Sequence, residues 1–417
     1  MVEPLRELAV FLRETVAGRL TVDRAGAMAF RYDADWLADP QAPALFHSLP
    51  KTAKAAGDRL CKAVFGGLLP EEAQRSAVAR ALGISPDNTF RLLERLGGDV
   101  AGALSLLPPG EEPAFPAAPA HPHEPLDDDE LAAIMLQLPV TPMLAGEGGL
   151  RLSLAGAQDK LPVVLAGGAI ALPHPGEPST HLIKPEPARF PGLAANEAFC
   201  LALARACGLV AVQAERRVVA ERPFLLVERY DRETANGATL RLHQEDFAQS
   251  LGVVPSRKYA AEGGPAFRDA FALVRSATTR PAREVLRLLD AALFNLVIGN
   301  ADAHAKNFSL LHRDGKAGRE TILAPLYDLV ATFRWPGLAP HLAMRFGDAR
   351  RLEEVDGASF ERFADQSGVG APFVRRRAAE IAELVLDDAE RVGSADDTEL
   401  RDALALRAQT LRQKAGR

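Results

Sequence analysis

The chain has 417 residues, 47% hydrophobic and 25% charged, a balance that fits a soluble globular protein rather than a disordered one. Its 49 basic and 55 acidic residues leave a formal net charge of −6, so no global charge draws it to nucleic acid or an anionic membrane. At roughly 100–200 residues per domain, two or three folding units are expected.

The N-terminus, Met1-Val-Glu-Pro-Leu-Arg-Glu, lacks the basic-then-apolar pattern of a signal peptide. No apolar run reaches the roughly 18–20 residues of a membrane span; the longest, 289–299, is broken by Asp290 and Asn295. Cys61, Cys200 and Cys207 form no CxxC pair and no even disulfide framework. A cytoplasmic location without membrane association is therefore expected.

Residues 1–107 read as a small α+β accessory unit. Strand-like runs lie at 8–12 and 27–32, and helical stretches at 71–82 and 87–96. Seven prolines between 108 and 125 mark an extended linker, taken as 108–130. The acidic run 127–130 suits the N-terminus of a following helix. Residues 131–232 read as a β-rich lobe. Gly167-Gly168 signals a hairpin between 161–166 and 169–173. Further strands are expected at 181–184, 217–220 and 224–230, the last two joined by a turn at 221–223. A helix over 196–207 ends at Gly208. From 233 to 417 helices are expected to dominate, notably Pro281 to Ile298 and the stretch from Arg375 onward. The outline is α+β and two-lobed, as in protein kinases, but many α+β proteins share it.

Four segments carry chemistry. In Ser153-Leu-Ala-Gly-Ala-Gln-Asp-Lys160, small residues let backbone N–H groups approach an anion; a tight strand-linking loop fits equally. Lys184 ends an apolar strand and suits nucleotide phosphates if a carboxylate, with Glu197 the candidate, positions it. A solvated strand-end lysine is the alternative. In Asn300-Ala-Asp302-Ala-His304-Ala-Lys306-Asn307, Asp302 can orient and deprotonate an attacking hydroxyl, while Asn307, five residues on, can hold a metal. The kinase H-R-D-x-x-x-x-N loop has the same spacing. Lys306 can neutralise phosphate charge. The alternative is a capped helix end with a hydrogen-bonded turn. Asp328, closing an apolar strand about twenty residues later, suits a second metal ligand or a turn. His121, His123 and His174 lie among prolines, show no metal-ligand spacing and read as solvated; Arg375, Arg376 and Arg377 read as a solvated helix face.

In their order these segments resemble the HipA-type toxin Ser/Thr kinases of toxin–antitoxin modules. The N-terminal part is similar in Gly18-Arg-Leu, in 30–37, in Leu49-Pro50 and in 68–71. The remainder is similar in 153–160, 180–184, Asn196-Glu197, 227–232, 241–247, Lys258-Tyr259, 263–265, 302–309 and 325–328. Ala303, Tyr230 and Asp159 depart from the commonest family residues, and none removes a catalytic group.

The resemblance implies a two-lobed protein-kinase-like fold with an N-terminal accessory domain, using ATP and Mg2+. It makes Asp302 the catalytic base and gives Asn307 and Asp328 the metal. Ala155, Gly156, Ala157, Gln158, Asp159 and Lys160 become the phosphate loop, and Lys184 a phosphate contact. Glu228 and Tyr230 meet the adenine through backbone groups. His304, Lys306 and Tyr327 line the nucleotide site, and Ser153 matches the autophosphorylated, self-inhibiting serine. The implied partners are a HipB-like helix-turn-helix antitoxin, through which DNA is met only indirectly, and a protein substrate. For that substrate an aminoacyl-tRNA synthetase, glutamyl-tRNA synthetase first, is expected. A small-molecule or lipid head-group kinase shares the same loop logic, and a non-catalytic DNA-binding partner of an antitoxin is a third reading.

Overall fold

The computed structural model describes residues 6–113, 122–145, 151–156, 158–235, 238–315, 318–338, 340–392 and 397–416. In chain order the elements are strands β1 (Arg6–Leu12), β2 (Thr15–Val22) and β3 (Met28–Tyr32), then helices α1 (Ala34–Ala38), α2 (Asp58–Val64), α3 (Glu72–Ala81) and α4 (Thr89–Leu96). Next come β4 (Leu104–Leu107), α5 (Asp128–Gln137), β5 (Leu161–Ala166), β6 (Ala169–Ala171), β7 (His181–Pro185) and α6 (Leu193–Ala206). They are followed by β8 (Ala214–Val219), β9 (Arg222–Glu228), β10 (Arg232–Ala235), β11 (Ala238–Arg241), β12 (His243–Asp246), α7 (Phe247–Ser250), α8 (Phe267–Ala277) and α9 (Pro281–Ile298). The rest comprises β13 (Ser309–Gly315), β14 (Gly318–Leu323), β15 (His341–Phe346), β16 (Ala349–Arg351), α10 (Gly357–Ser367), α11 (Ala371–Val392) and α12 (Thr398–Ala415).

These elements form two compact units. The first holds residues 1–185, 217–256 and 311–313. In it, an antiparallel sheet of order β3-β2-β1-β4 buries Leu8, Val10, Leu20 and Phe30 against α2 and α4. A second sheet runs β6-β5-β7-β9-β8. Its inner face, Leu161, Val163, Ile183 and Leu226, packs on Leu131 and Met135 of α5. Helix α5 starts where the acidic run predicts. Asp127 accepts the Glu130 N–H at 2.8 Å while Glu130 accepts the Asp127 N–H at 3.0 Å, a reciprocal cap that satisfies two otherwise orphaned donors. The Gly167-Gly168 turn has φ of 60° and 91°, which suits the tight hairpin joining β5 to β6.

The second unit holds residues 186–216, 257–310 and 314–417. Helix α9 is buried along most of its length and packs with α8, α11 and α12. Gly299 at φ 70° caps it and turns the chain into the polar segment that follows.

The structure departs from several expectations. Strand β2 is present although no alternating pattern announced it. The turn between β8 and β9 centres on Ala220 and Glu221, both at positive φ, not on 221–223. Strands β11 to β16 interrupt the region expected to be mainly helical. They are short and rich in charged residues, so little hydrophobic alternation marks them. Arg377 is not solvated: it makes a two-bond ion pair with Asp290 at 2.7 and 3.0 Å, and Arg375 bonds Glu361 at 2.9 Å. Among the described residues no helix is long and apolar enough to cross a membrane.

Candidate active site

Asn300 to Asn307 leaves α9 and closes in a single 3-10 turn over Ala305–Asn307 before β13. Asp302 is exposed, while His304 and Lys306 are buried. The Asn307 side-chain amide donates to the Asp302 carbonyl at 3.1 Å. That bond uses its nitrogen and fixes the amide, so its oxygen is the group left to act as a metal ligand.

Three side chains brace this segment and the chain that returns beside it. The Asn300 amide donates to the Asn295 side-chain oxygen at 2.8 Å and to the Asp328 carbonyl at 3.2 Å. Its own oxygen accepts the Asp302 N–H at 3.1 Å. The Thr332 hydroxyl accepts from the Ala301 N–H at 2.9 Å and donates to the Gly299 carbonyl at 2.9 Å. The Asn196 side-chain oxygen accepts the Ala331 N–H at 2.8 Å. The structure thus brings Asp302, Asn307 and the backbone of Asp328 into one hydrogen-bonded set.

Asp328 itself sits at φ 52°, a left-handed conformation costly for a residue with a side chain. It does not close a strand as expected. It follows an isolated parallel bridge between Ala211 and Leu326. Tyr327 donates its hydroxyl to the Lys306 carbonyl at 2.9 Å and lies 2.7 Å from the buried Ser309 hydroxyl. Tyr259 meets the His304 ring edge-on at 5.3 Å.

The other candidates, apart from Glu197, lie in the first unit. Lys160 donates to the Ala155 carbonyl. Gly156 has φ 114°, and a Cβ there would fall 2.5 Å from the Lys160 ammonium. The positive φ, which other residues rarely adopt, is what favours glycine there. The N-terminal part of the chain holds this loop: Glu71 N–H donates to the Gly156 carbonyl at 3.2 Å, and Gln74 bonds Asp159 at 2.6 Å. Gln158 reaches the Pro185 carbonyl at 3.4 Å. Ala157 lies outside the described residues. Ser153 is fully buried, its hydroxyl donating to the Leu68 carbonyl at 2.8 Å.

Lys184 is buried in β7, opposite Leu225 of β9. Glu228 is exposed at the end of β9, and the Tyr230 hydroxyl donates to Gln244 at 2.8 Å. Glu197 is buried on α6 in the second unit.

Asn307 and Asp328 carry side-chain oxygens, the kind of hard donor that Mg2+-class cations prefer. The model of the HipA N-terminal domain family matches residues 8–107, and that of the HipA-like C-terminal domain matches residues 152–392. The chain belongs to the HipA family. The protein Y4mE of Sinorhizobium fredii, a kinase by name, is 50% identical across 98% of this chain and 99% of its own. The serine/threonine-protein kinase toxin HipA of Shewanella oneidensis is 29% identical across 91% of this chain and 89% of its own. A solved structure of Shewanella oneidensis HipA, in complex with HipB and operator DNA, superposes with a TM-score of 0.84 at 26% identity, over 98% of both chains. The fold is therefore the kinase-like fold of HipA, and the protein is a HipA-type kinase, a class that uses ATP with a metal ion.

Two features escaped the sequence reading. Asn300 was visible only as part of a polar run, and its bracing of Asp328 depends on a contact 28 residues away. Thr332 carries no local signal at all.

Proposed function

We propose that this protein is an ATP- and Mg2+-dependent protein Ser/Thr kinase acting as the toxin of a toxin–antitoxin module. The observation that carries the reading is the hydrogen-bonded set of Asp302, Asn307 and Asp328 held by Asn300. In it Asp302, exposed at the loop, receives the proton of the attacking hydroxyl. Asn307 and Asp328 hold the metal, which supplies charge neutralisation at the phosphates. Lys306 and Lys184 add positive charge, residues 155–160 follow the phosphates with backbone groups, and His304 and Tyr327 shape the nucleotide site. Glu228 and Tyr230 meet the adenine through their backbone.

The functional segments are 1–107 as accessory domain, 108–130 as linker, 131–232 as the β-rich lobe and 233–417 as the helical lobe. The acceptor is a protein hydroxyl, with an aminoacyl-tRNA synthetase, glutamyl-tRNA synthetase first, as substrate. A HipB-like antitoxin is the partner, and DNA is met through it. The Shewanella oneidensis complex of HipA, HipB and operator DNA supports that partner.

Phosphorylation of Ser153 is the off-switch. Because Ser153 is fully buried and bonded to the Leu68 carbonyl, its hydroxyl must leave that site to react. A phosphate carrying about −1.5 to −2 charges has no room to return, which would hold the loop away from its present position.

The test is phosphate transfer from radiolabelled ATP by the wild type and by Asp302→Asn, with phosphoproteomics of cells expressing each. Transfer to protein is expected only from the wild type. Undiminished transfer by the variant would sink the assignment, and label confined to a small molecule would replace the protein acceptor.

A further inference from the structure

The first unit contains a side-chain cluster that kinase chemistry does not use. Leu172-Pro-His174-Pro175-Gly176-Glu177 forms a tight turn. The Glu177 N–H donates to the His174 carbonyl at 2.9 Å, with Gly176 at φ 83°. Proline followed by a positive-φ glycine is the signature of a type II turn, and here it sets His174 and Glu177 side by side. The Glu177 carboxylate also accepts the His174 N–H at 2.8 Å.

His123 arrives from the end of the proline-rich segment. Its own strand-like stretch is fixed to β6 by a Pro125–Ala171 bridge and by the Leu126 N–H donating to the Ile170 carbonyl at 2.8 Å. The His123 ring stacks on His174 with centroids 4.8 Å apart, and its Nε2 lies 2.8 Å from Glu177 Oε2. Neither His123 nor His174 is solvated as the sequence suggested. The His123 and Glu177 side chains are 13% and 12% exposed, and His121 lies outside the described residues.

A hydrogen-bonded His–Glu pair accounts for His123 and Glu177. It does not account for His174, whose Nε2 is shielded from solvent and has no hydrogen-bond partner among the described residues. A buried polar atom left unsatisfied calls for an explanation, an ion among them. One ligand atom from each of the three residues can be chosen so that all lie within 4.8 Å of one another. Two imidazoles and a carboxylate are a donor set suited to Zn2+.

We propose that His123, His174 and Glu177 bind one Zn2+ ion, with water completing the shell. The ion clasps the end of the proline-rich segment to the edge strand β6.

The experiment is Zn2+ titration of metal-stripped, tag-free full-length protein by calorimetry, with X-ray absorption at the zinc edge and thermal melting with and without Zn2+. One equivalent with imidazole scattering is expected, together with a Zn2+-dependent rise in melting temperature. His123→Ala and Glu177→Gln should each weaken binding at least about tenfold, since even outer-shell changes cost 10–100-fold. His174→Ala should abolish the melting shift. Circular dichroism confirms that each variant is folded, and His123→Ala carries the test if His174→Ala does not fold. No uptake by the wild type, or uptake unchanged in the folded variants, overturns the proposal.

Discussion

Asp99 shows what a single side chain can hold together. It is 2% exposed, yet its carboxylate meets Arg232 at 2.7 Å, Arg241 at 3.3 Å and Arg229 at 3.6 Å, and accepts the Ser179 hydroxyl at 2.9 Å. Asp231 completes the network, bonding Arg229 through both oxygens and accepting the Gly102 N–H at 2.7 Å. Burial pushes the Asp99 carboxyl up, but the guanidinium groups of Arg241, Arg232 and Arg229 outweigh it and hold its pKa below the usual carboxylate range. Asp231 is likewise held below the usual carboxylate range, by Arg229 and Arg232 against its own burial. A depressed folded pKa stabilises above the ordinary carboxylate range, and that stability is lost as pH falls through the folded value. Removing one partner leaves buried arginines uncompensated, so Asp99→Asn should cost about 3–5 kcal/mol. It should also flatten the acid limb of the stability curve. Urea denaturation followed through Trp36, in a Trp335→Phe background so that one tryptophan reports on the first unit, checks both. A loss under about 1 kcal/mol would mean that the network contributes little. No local pattern reveals Asp99, because its partners lie 80 to 142 residues further along the chain.

Elements were legible where a local rule decided them. The apolar run of α9, the two glycines between β5 and β6, and the acidic start of α5 each have one short-range cause. Strand β2 did not, because its middle holds Gly18. A Cβ there would fall 2.4 Å from the Arg31 carbonyl and 2.5 Å from the Phe30 ring. The glycine that looks like a break is the space into which β3 packs. The site followed the same division. The spacing of Asp302 and Asn307 could be read directly, whereas the Asn300 and Thr332 braces depend on how the chain returns after β14. The cap of α5 gives the prediction at this scale. Asp127→Ala removes one side of the reciprocal bond and should destabilise the helix by about 1 kcal/mol. Amide exchange over 128–137 should then run roughly fivefold faster through local opening, with exchange in α9 unchanged. Mass spectrometry of the two segments distinguishes a local effect from global unfolding.

The whole molecule is two compact units drawn from interleaved segments, so neither can be cut out as a continuous stretch. The cysteines report on both. Cys61 lies in the first unit, Cys200 and Cys207 in the second, and all three are buried free thiols. Burial pushes each thiol up to about 12, against about 8.5 for an exposed one, so at pH 8 scarcely any reactive thiolate forms. The native protein should therefore leave all three unlabelled by a thiol reagent that modifies each of them once the chain is denatured. Along a urea series Cys200 and Cys207 should become reactive at one shared midpoint, because α6 and α11 pack within the same unit. Cys61 is free to follow a midpoint of its own, since its burial depends on the β1–β4 sheet and α2. Peptide mapping of the labelled sites separates the cases. Separate midpoints for Cys200 and Cys207 would show that the second unit does not open as one cooperative body, and stoichiometric labelling of any thiol in the native state would contradict the burial that raises its pKa.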